Sequence, residues 1–167
     1  MGVLDWRLIM KEHIDKLAEE AMRLEYNVSK LYMIFRDAHP EDEQFWWQLV
    51  IEESNHAALI KSGVEYFIPV DAFPDGMFPD MKDLQQANAQ LKSLLEQYAT
   101  NPPSREAAFN IALKTEISAG EMHFQRAMTK KADSDLLRLF QKLNQDDKDH
   151  AKRIRAYMQE HQILIQD

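Results

Sequence analysis

Leu49-x-x-x-Glu53-x-x-His56-Ala57 and Leu143-x-x-x-Asp147-x-x-His150-Ala151 are one motif written twice, half a chain apart. The residues around each copy decide the fold. Upstream of the first copy, Ile14, Leu17, Ala21, Leu24, Val28, Leu31 and Phe35 recur at spacings of three and four, an apolar stripe of helical period. Around the first copy itself Trp46, Leu49, Ile60, Gly63 and Phe67 continue the same rhythm, with Glu53 and His56 standing on stripe positions. Around the second copy the run is Leu136, Phe140, Leu143, Ile154 and Tyr157, again with the acid and the histidine in register. A third stripe, Phe109, Leu113, Gly120 and Ala127, carries Glu116 and His123.

Breaks divide these stripes into helices. The residue before a proline is pushed out of the helical region, so His39-Pro40 ends a first helix over about 5–37 and a second starts near Glu41. Pro69, Pro74, Gly76 and Pro79 mark 68–80 as a loop. Asp80 is placed to cap a shorter helix over about 81–98, and Asn101-Pro102-Pro103-Ser104 ends it. Asp133 or Ser134 is placed to cap the last long helix. The expected architecture is all-α: an antiparallel four-helix bundle in one domain, 1–167. A hairpin over 5–67 is joined to a second over 104–164 by a crossover, 68–103, that carries a short extra helix. With about 1.5 Å of rise per residue, side chains equally far from a hairpin turn lie at one height. Glu25 and Glu53 flank the first turn evenly, and Glu116 and Asp147 flank the second, so all four acids are expected in one layer.

Composition agrees with a helical domain: 167 residues suffice for a core, and only 4 are Gly. A net charge of −8 disfavours nucleic acid and anionic membrane surfaces as partners. No apolar run reaches the roughly 18 residues of a spanning helix, and charges scattered through the first twenty residues do not read as a signal peptide, so a cytoplasmic protein is expected. The absence of Cys removes disulfides, thiolate chemistry and iron–sulfur clusters from the possibilities.

Six polar residues on core stripes need a reason. A buried unpaired charge costs several kcal/mol, while a whole domain is stable by only about 5–15 kcal/mol. A layer of salt bridges is the competing reading, yet Arg23, Lys30, Lys61, Lys148 and Lys152 fall off the stripes. Metal ions neutralise clustered acids better than protonation does. Glu25, Glu53, His56, Glu116, Asp147 and His150 are therefore the expected ligands of two ions, and mixed carboxylate and imidazole donors favour Fe, with Mn or Zn as competitors. Asp147 is one methylene shorter than Glu53 in the equivalent place, which should make the second metal position the weaker one. Tyr32, two turns beyond Glu25, is a candidate for hydrogen-bonding a ligand carboxylate, and His123 for an added ligand or acid–base group; for either, a satisfied core residue is the plain alternative. Of the adjacent Trp46 and Trp47, one should face the core and the other a partner subunit.

These residues resemble the ferritin-like di-iron carboxylate proteins, and within them a rubrerythrin-related branch lacking the rubredoxin domain. The resemblance rests on Glu25-x6-Tyr32, on Phe45-x-x-x-Leu49-x-x-x-Glu53-x-x-His56, on Glu116 and on Asp147-x-x-His150, and spans nearly the whole chain. Bundles of that kind hold two metals with one Glu from each of two helices and Glu-x-x-His from the other two. The resemblance implies an oxidoreductase that reduces peroxide or dioxygen, with electrons from a separate donor, working as a homodimer or higher homo-oligomer. Asp147 replaces the usual Glu, His123 stands where Tyr32 stands in the first half, and the additional glutamate of classical rubrerythrins has no counterpart on the third long helix. A non-catalytic metal-binding or iron-handling protein, and a ferritin-like bundle with an empty site, remain the alternatives.

Overall fold

The computed structural model describes residues 3–67, 78–122 and 135–166; within them, the side chains of 3–7, 67, 119–122, 136, 140, 143, 144, 147 and 148 are outside the description. The expected caps at Asp133 and Ser134, and the loop over 68–77, lie outside the described residues. What is described is all-helical: α1 (Val3–Ala38), α2 (Glu43–Phe67), α3 (Met81–Tyr98), α4 (Arg105–Met122) and α5 (Asp135–Glu160). A single 3₁₀ turn, Pro40–Asp42, joins α1 to α2, with Pro40 at its start, where its missing N–H is no loss. Among the described residues no helix is long and apolar enough to cross a membrane.

Where side chains are described, the long helices bury positions of the stripes expected from the sequence. On α1, Ala21, Leu24, Val28, Leu31 and Phe35 are buried. They pack mainly on α2 and α3, while α4 packs on α5 and further contacts join α2 to α5 and α1 to α4. Trp46 is fully buried, as expected of one of the two indoles, and Trp47 is exposed with the Arg36 guanidinium over its ring.

The short helix α3 falls where the turn signals put it, but its cap differs. Asp80 has an extended backbone and no capping side-chain bond; its carbonyl accepts from Asp83 and Leu84 instead. Asn88 of α3 is buried and ties the helix to α1, donating to the Glu20 carbonyl and carboxylate and accepting from Asn27. Glu20 is thus half-covered by the crossover helix.

One end of the domain carries a polar clasp that the apolar pattern does not reveal. Asp42, in the turn, is buried and accepts two 2.7 Å bonds from Arg105 at the start of α4 and one of 2.8 Å from Tyr157 of α5. Burial pushes the Asp42 carboxyl up, but the guanidinium and the phenol outweigh it and hold the group below its ordinary value. Inward of the clasp lies an aromatic layer: Phe45 stacks on Tyr157 with centroids 4.1 Å apart, and Trp46 lies 4.4 Å from Phe109.

Helix α5 ends in a left-handed residue, Gln162 at φ 56°. Ile163 N–H donates to Met158 C=O and Gln162 N–H to Gln159 C=O, the paired bonds of a Schellman stop, with Ile163 and Met158 buried together. A side chain is a liability at that φ, so Gln162→Gly is expected to stabilise the domain by about 0.5–1 kcal/mol, read as a higher denaturation midpoint; an unchanged or lower midpoint contradicts it.

Candidate metal centre

Four helices deliver five of the six expected ligands to one place. Glu25 comes from α1, Glu53 and His56 from α2, Glu116 from α4 and His150 from α5, and each is 2–4% exposed, so the cluster is sealed from bulk water. A separation of three puts Glu53 and His56 on one face of α2. Asp147 lies in α5 with its side chain outside the described residues, and His123 lies wholly outside them.

The donors form two groups that share Glu53. Glu25, Glu53 and His56 offer ligand atoms within 4.8 Å of one another, and so do Glu53, Glu116 and His150. His56 Nδ1 is 3.6 Å from Glu25 and 3.5 Å from Glu53; His150 Nδ1 is 2.7 Å from Glu53 and 3.5 Å from Glu116. The imidazoles lie parallel, centroids 5.3 Å apart, with Nδ1 of each turned toward the carboxylates.

One detail separates a ligand set from an ordinary polar layer. Glu53 Oε1 and His150 Nδ1 approach to 2.7 Å, yet both are buried atoms without a hydrogen-bond partner. Native proteins satisfy nearly all buried polar atoms, and a cation that displaces the imidazole proton would satisfy both of these at once. The donor set fits a cation of the iron, manganese or zinc kind.

The Tyr32 hydroxyl donates a short hydrogen bond to Glu116 Oε1, one of the clustered carboxylates, from a fully buried position against Trp46 and Phe35. Two further acids were not expected. Glu52 Oε2 lies 3.2 Å from His150 Nε2, and Asp146 Oδ2 lies 3.9 Å from His56 Nε2. The arrangement is crossed: the acid just before each motif acid reaches the histidine of the other motif. A proton on Nε2 shared with such a carboxylate leaves the Nδ1 lone pair for a metal. The signal was present in the doubled acids Glu52-Glu53 and Asp146-Asp147, which belong to the repeat. Arg153 forks onto Glu52, and Lys142 lies 3.3 Å from Asp146.

The metal-free cluster holds protons tightly. Burial lowers both histidines, but the carboxylates of Glu25 and Glu53 raise His56 to about 11, and those of Glu116 and Glu53 raise His150 to about 10. Burial and the neighbouring Glu116 push Glu53 up to about 8. All three folded values lie above the ordinary ones of 6.5 for His and 4.5 for Glu. The stabilisation each contributes is therefore complete below the ordinary value and lost as pH rises through the folded one. A metal bound here would reverse the slope, because it takes deprotonated donors and must displace these protons. The metal-free protein is expected to melt at a lower temperature at pH 9 than at pH 6, whereas the gain in melting temperature from added metal grows over the same interval. Thermal melts with and without chelator check both; parallel slopes contradict the assignment.

Compared with known proteins, the chain matches no protein-family model, no curated protein and no solved structure.

Proposed function

We propose that this chain is a di-metal protein, most simply di-iron, built as a ferritin-like four-helix bundle and acting as a rubrerythrin-like oxidoreductase on peroxide or dioxygen. The observation that supports the reading is the pair of buried three-donor groups sharing Glu53, with Glu53 Oε1 and His150 Nδ1 2.7 Å apart. Glu25 and His56 would serve one ion, Glu116 and His150 the other, and Glu53 both, with Asp147 as the sixth ligand. Two ferrous ions, when bound, supply the two electrons that reduction of a peroxide to water consumes.

The chain's own residues set the conditions for that chemistry. Burial excludes bulk water and strengthens every charge interaction at the cluster. Tyr32 fixes the Glu116 carboxylate through its hydroxyl. Glu52 holds the outer edge of the His150 imidazole, which keeps its Nδ1 toward the acids, while Asp146 places a negative charge 3.9 Å from His56 Nε2. With no Cys in the chain, electrons that restore the reduced state come from a separate donor.

Elemental analysis of protein purified without oxygen, followed by titration with hydrogen peroxide, tests the reading. About two iron ions per chain and an absorbance change that saturates with peroxide are expected. Metal without a peroxide response would make this an iron-handling protein, and the absence of metal under iron-replete conditions would leave a bundle with an empty site.

A further inference from the structure

The donors are 2–4% exposed, so an ion needs a route to them. Among the described residues, two cavities are compared. One, of about 560 Å³, lies among α1, α3 and α4; Leu24, Val28, Leu91 and Ile111 line it with Lys114, and its wall contains no carboxylate or imidazole. The other, of about 670 Å³, lies between α2 and α5, and His56 and His150 are part of its wall. Asp146 and Asp149 line the same cavity from α5, and Glu52 from α2.

On this basis, and resting on the metal-binding reading above, we infer that divalent cations enter the cluster through the α2–α5 cavity. The two imidazoles are its inner wall: their Nε2 edges meet the outer acids Glu52 and Asp146, and their Nδ1 edges meet the inner acids. An arriving ion thus finds carboxylate oxygen before imidazole nitrogen, and can exchange its water in stages. The counter-charge over Asp146 is displaceable, because the Lys142 pair is exposed at the lysine end and such pairs contribute little. Arg153 is held more firmly, forked on Glu52, whereas Asp149 pairs with the exposed Lys152 at 3.2 Å, so Asp146 and Asp149, with displaceable lysines, are the receiving side. The cavity beside Lys114 offers a cation neither oxygen nor nitrogen from an acid or a histidine.

Ala58 and Ser62 line the α2–α5 cavity and are exposed, so a larger side chain there narrows it without entering the core. The test measures uptake of Co(II) by the full-length metal-free protein in a stopped-flow instrument, and its removal by a chelator. Ala58→Trp and Ser62→Trp are expected to slow uptake and removal severalfold by the same factor, leaving the amount bound and Kd unchanged. Ser93→Trp, which fills the other cavity, is expected to change neither rate. Asp149→Lys should slow uptake by about tenfold at low ionic strength, with the difference shrinking as salt is added. Helicity and oligomer size confirm folding for each variant, and the two Trp positions guard against failure of either one. Wild-type uptake and removal rates in both α2 Trp variants overturn the route while the metal site stands; a wild-type protein that binds no Co(II) overturns the metal reading itself.

Discussion

Replacing Glu53 with Gln is expected to empty both metal positions at once. Glu53 is the one residue common to the two donor groups, so its loss removes a ligand and a negative charge from each ion. The affinity loss should exceed the roughly 10–100-fold that follows from substituting a residue that only supports a ligand. Glu25→Gln and Glu116→Gln, each confined to one group, should cost one ion apiece. Stability should move the other way. Glu53 is raised to about 8 by burial and by Glu116, so its ionisation opposes folding above that pH. Glu53→Gln removes that opposition together with the carboxylate that raises His56 and His150, so metal-free variant protein is expected to lose less melting temperature between pH 6 and pH 9 than metal-free wild type. Elemental analysis, equilibrium dialysis and thermal melts report these effects separately. A Glu53→Gln protein that retains one full equivalent of metal would show that the groups do not share this residue.

Asp42→Ala is expected to destabilise the fold strongly, although it removes no core side chain. The carboxylate joins three chain segments through Arg105 and Tyr157, and its removal strands a guanidinium and a phenol. Breaking a fully buried ion pair costs about 3–5 kcal/mol. The Arg105 side chain is 32% exposed and keeps a 3.8 Å approach to Glu41, so the expected loss is nearer 2–3 kcal/mol. For a chain of this length that is roughly 5–10 °C in Tm. Asp42→Asn, which can still accept from Tyr157, should lie between. Because the folded carboxyl titrates below its ordinary value of 3.8, its contribution is present above that pH and fades as pH falls through the folded value. Wild type and variant should therefore converge in strong acid. A loss below about 1 kcal/mol at pH 7 would show the clasp to be an ordinary surface pair.

The parts of this fold that can be read from residues alone are those governed by period and by breakers. Proline sets the end of α1, the stripe through Leu24, Val28 and Leu31 sets its buried face, and the Leu84 to Leu95 stretch sets α3. Glu25, Glu53, His56, Glu116 and His150 were legible as a cluster because polar residues on apolar stripes are costly unless they serve one purpose together. Contacts between segments distant in sequence were not legible. Nothing local to Asp42 announces Arg105, and Glu20 reads as solvated until Asn88 arrives from the crossover. Glu52 was overlooked because α2 places it off the stripe; it reaches His150 only because α5 lies alongside.

The two donor groups differ in a way that bears on assembly. Glu25, Glu53 and His56 belong to the α1–α2 hairpin, closed by a single short turn, whereas Glu53, Glu116 and His150 come together only when α4 and α5 have docked on it. The first is a set of near neighbours along the chain; the second is a long-range set whose loop-closure entropy must be met before any contact rewards it. The shared carboxylate is thus a hinge in the order of events as well as in space, present at the local step and required again at the one that completes the domain.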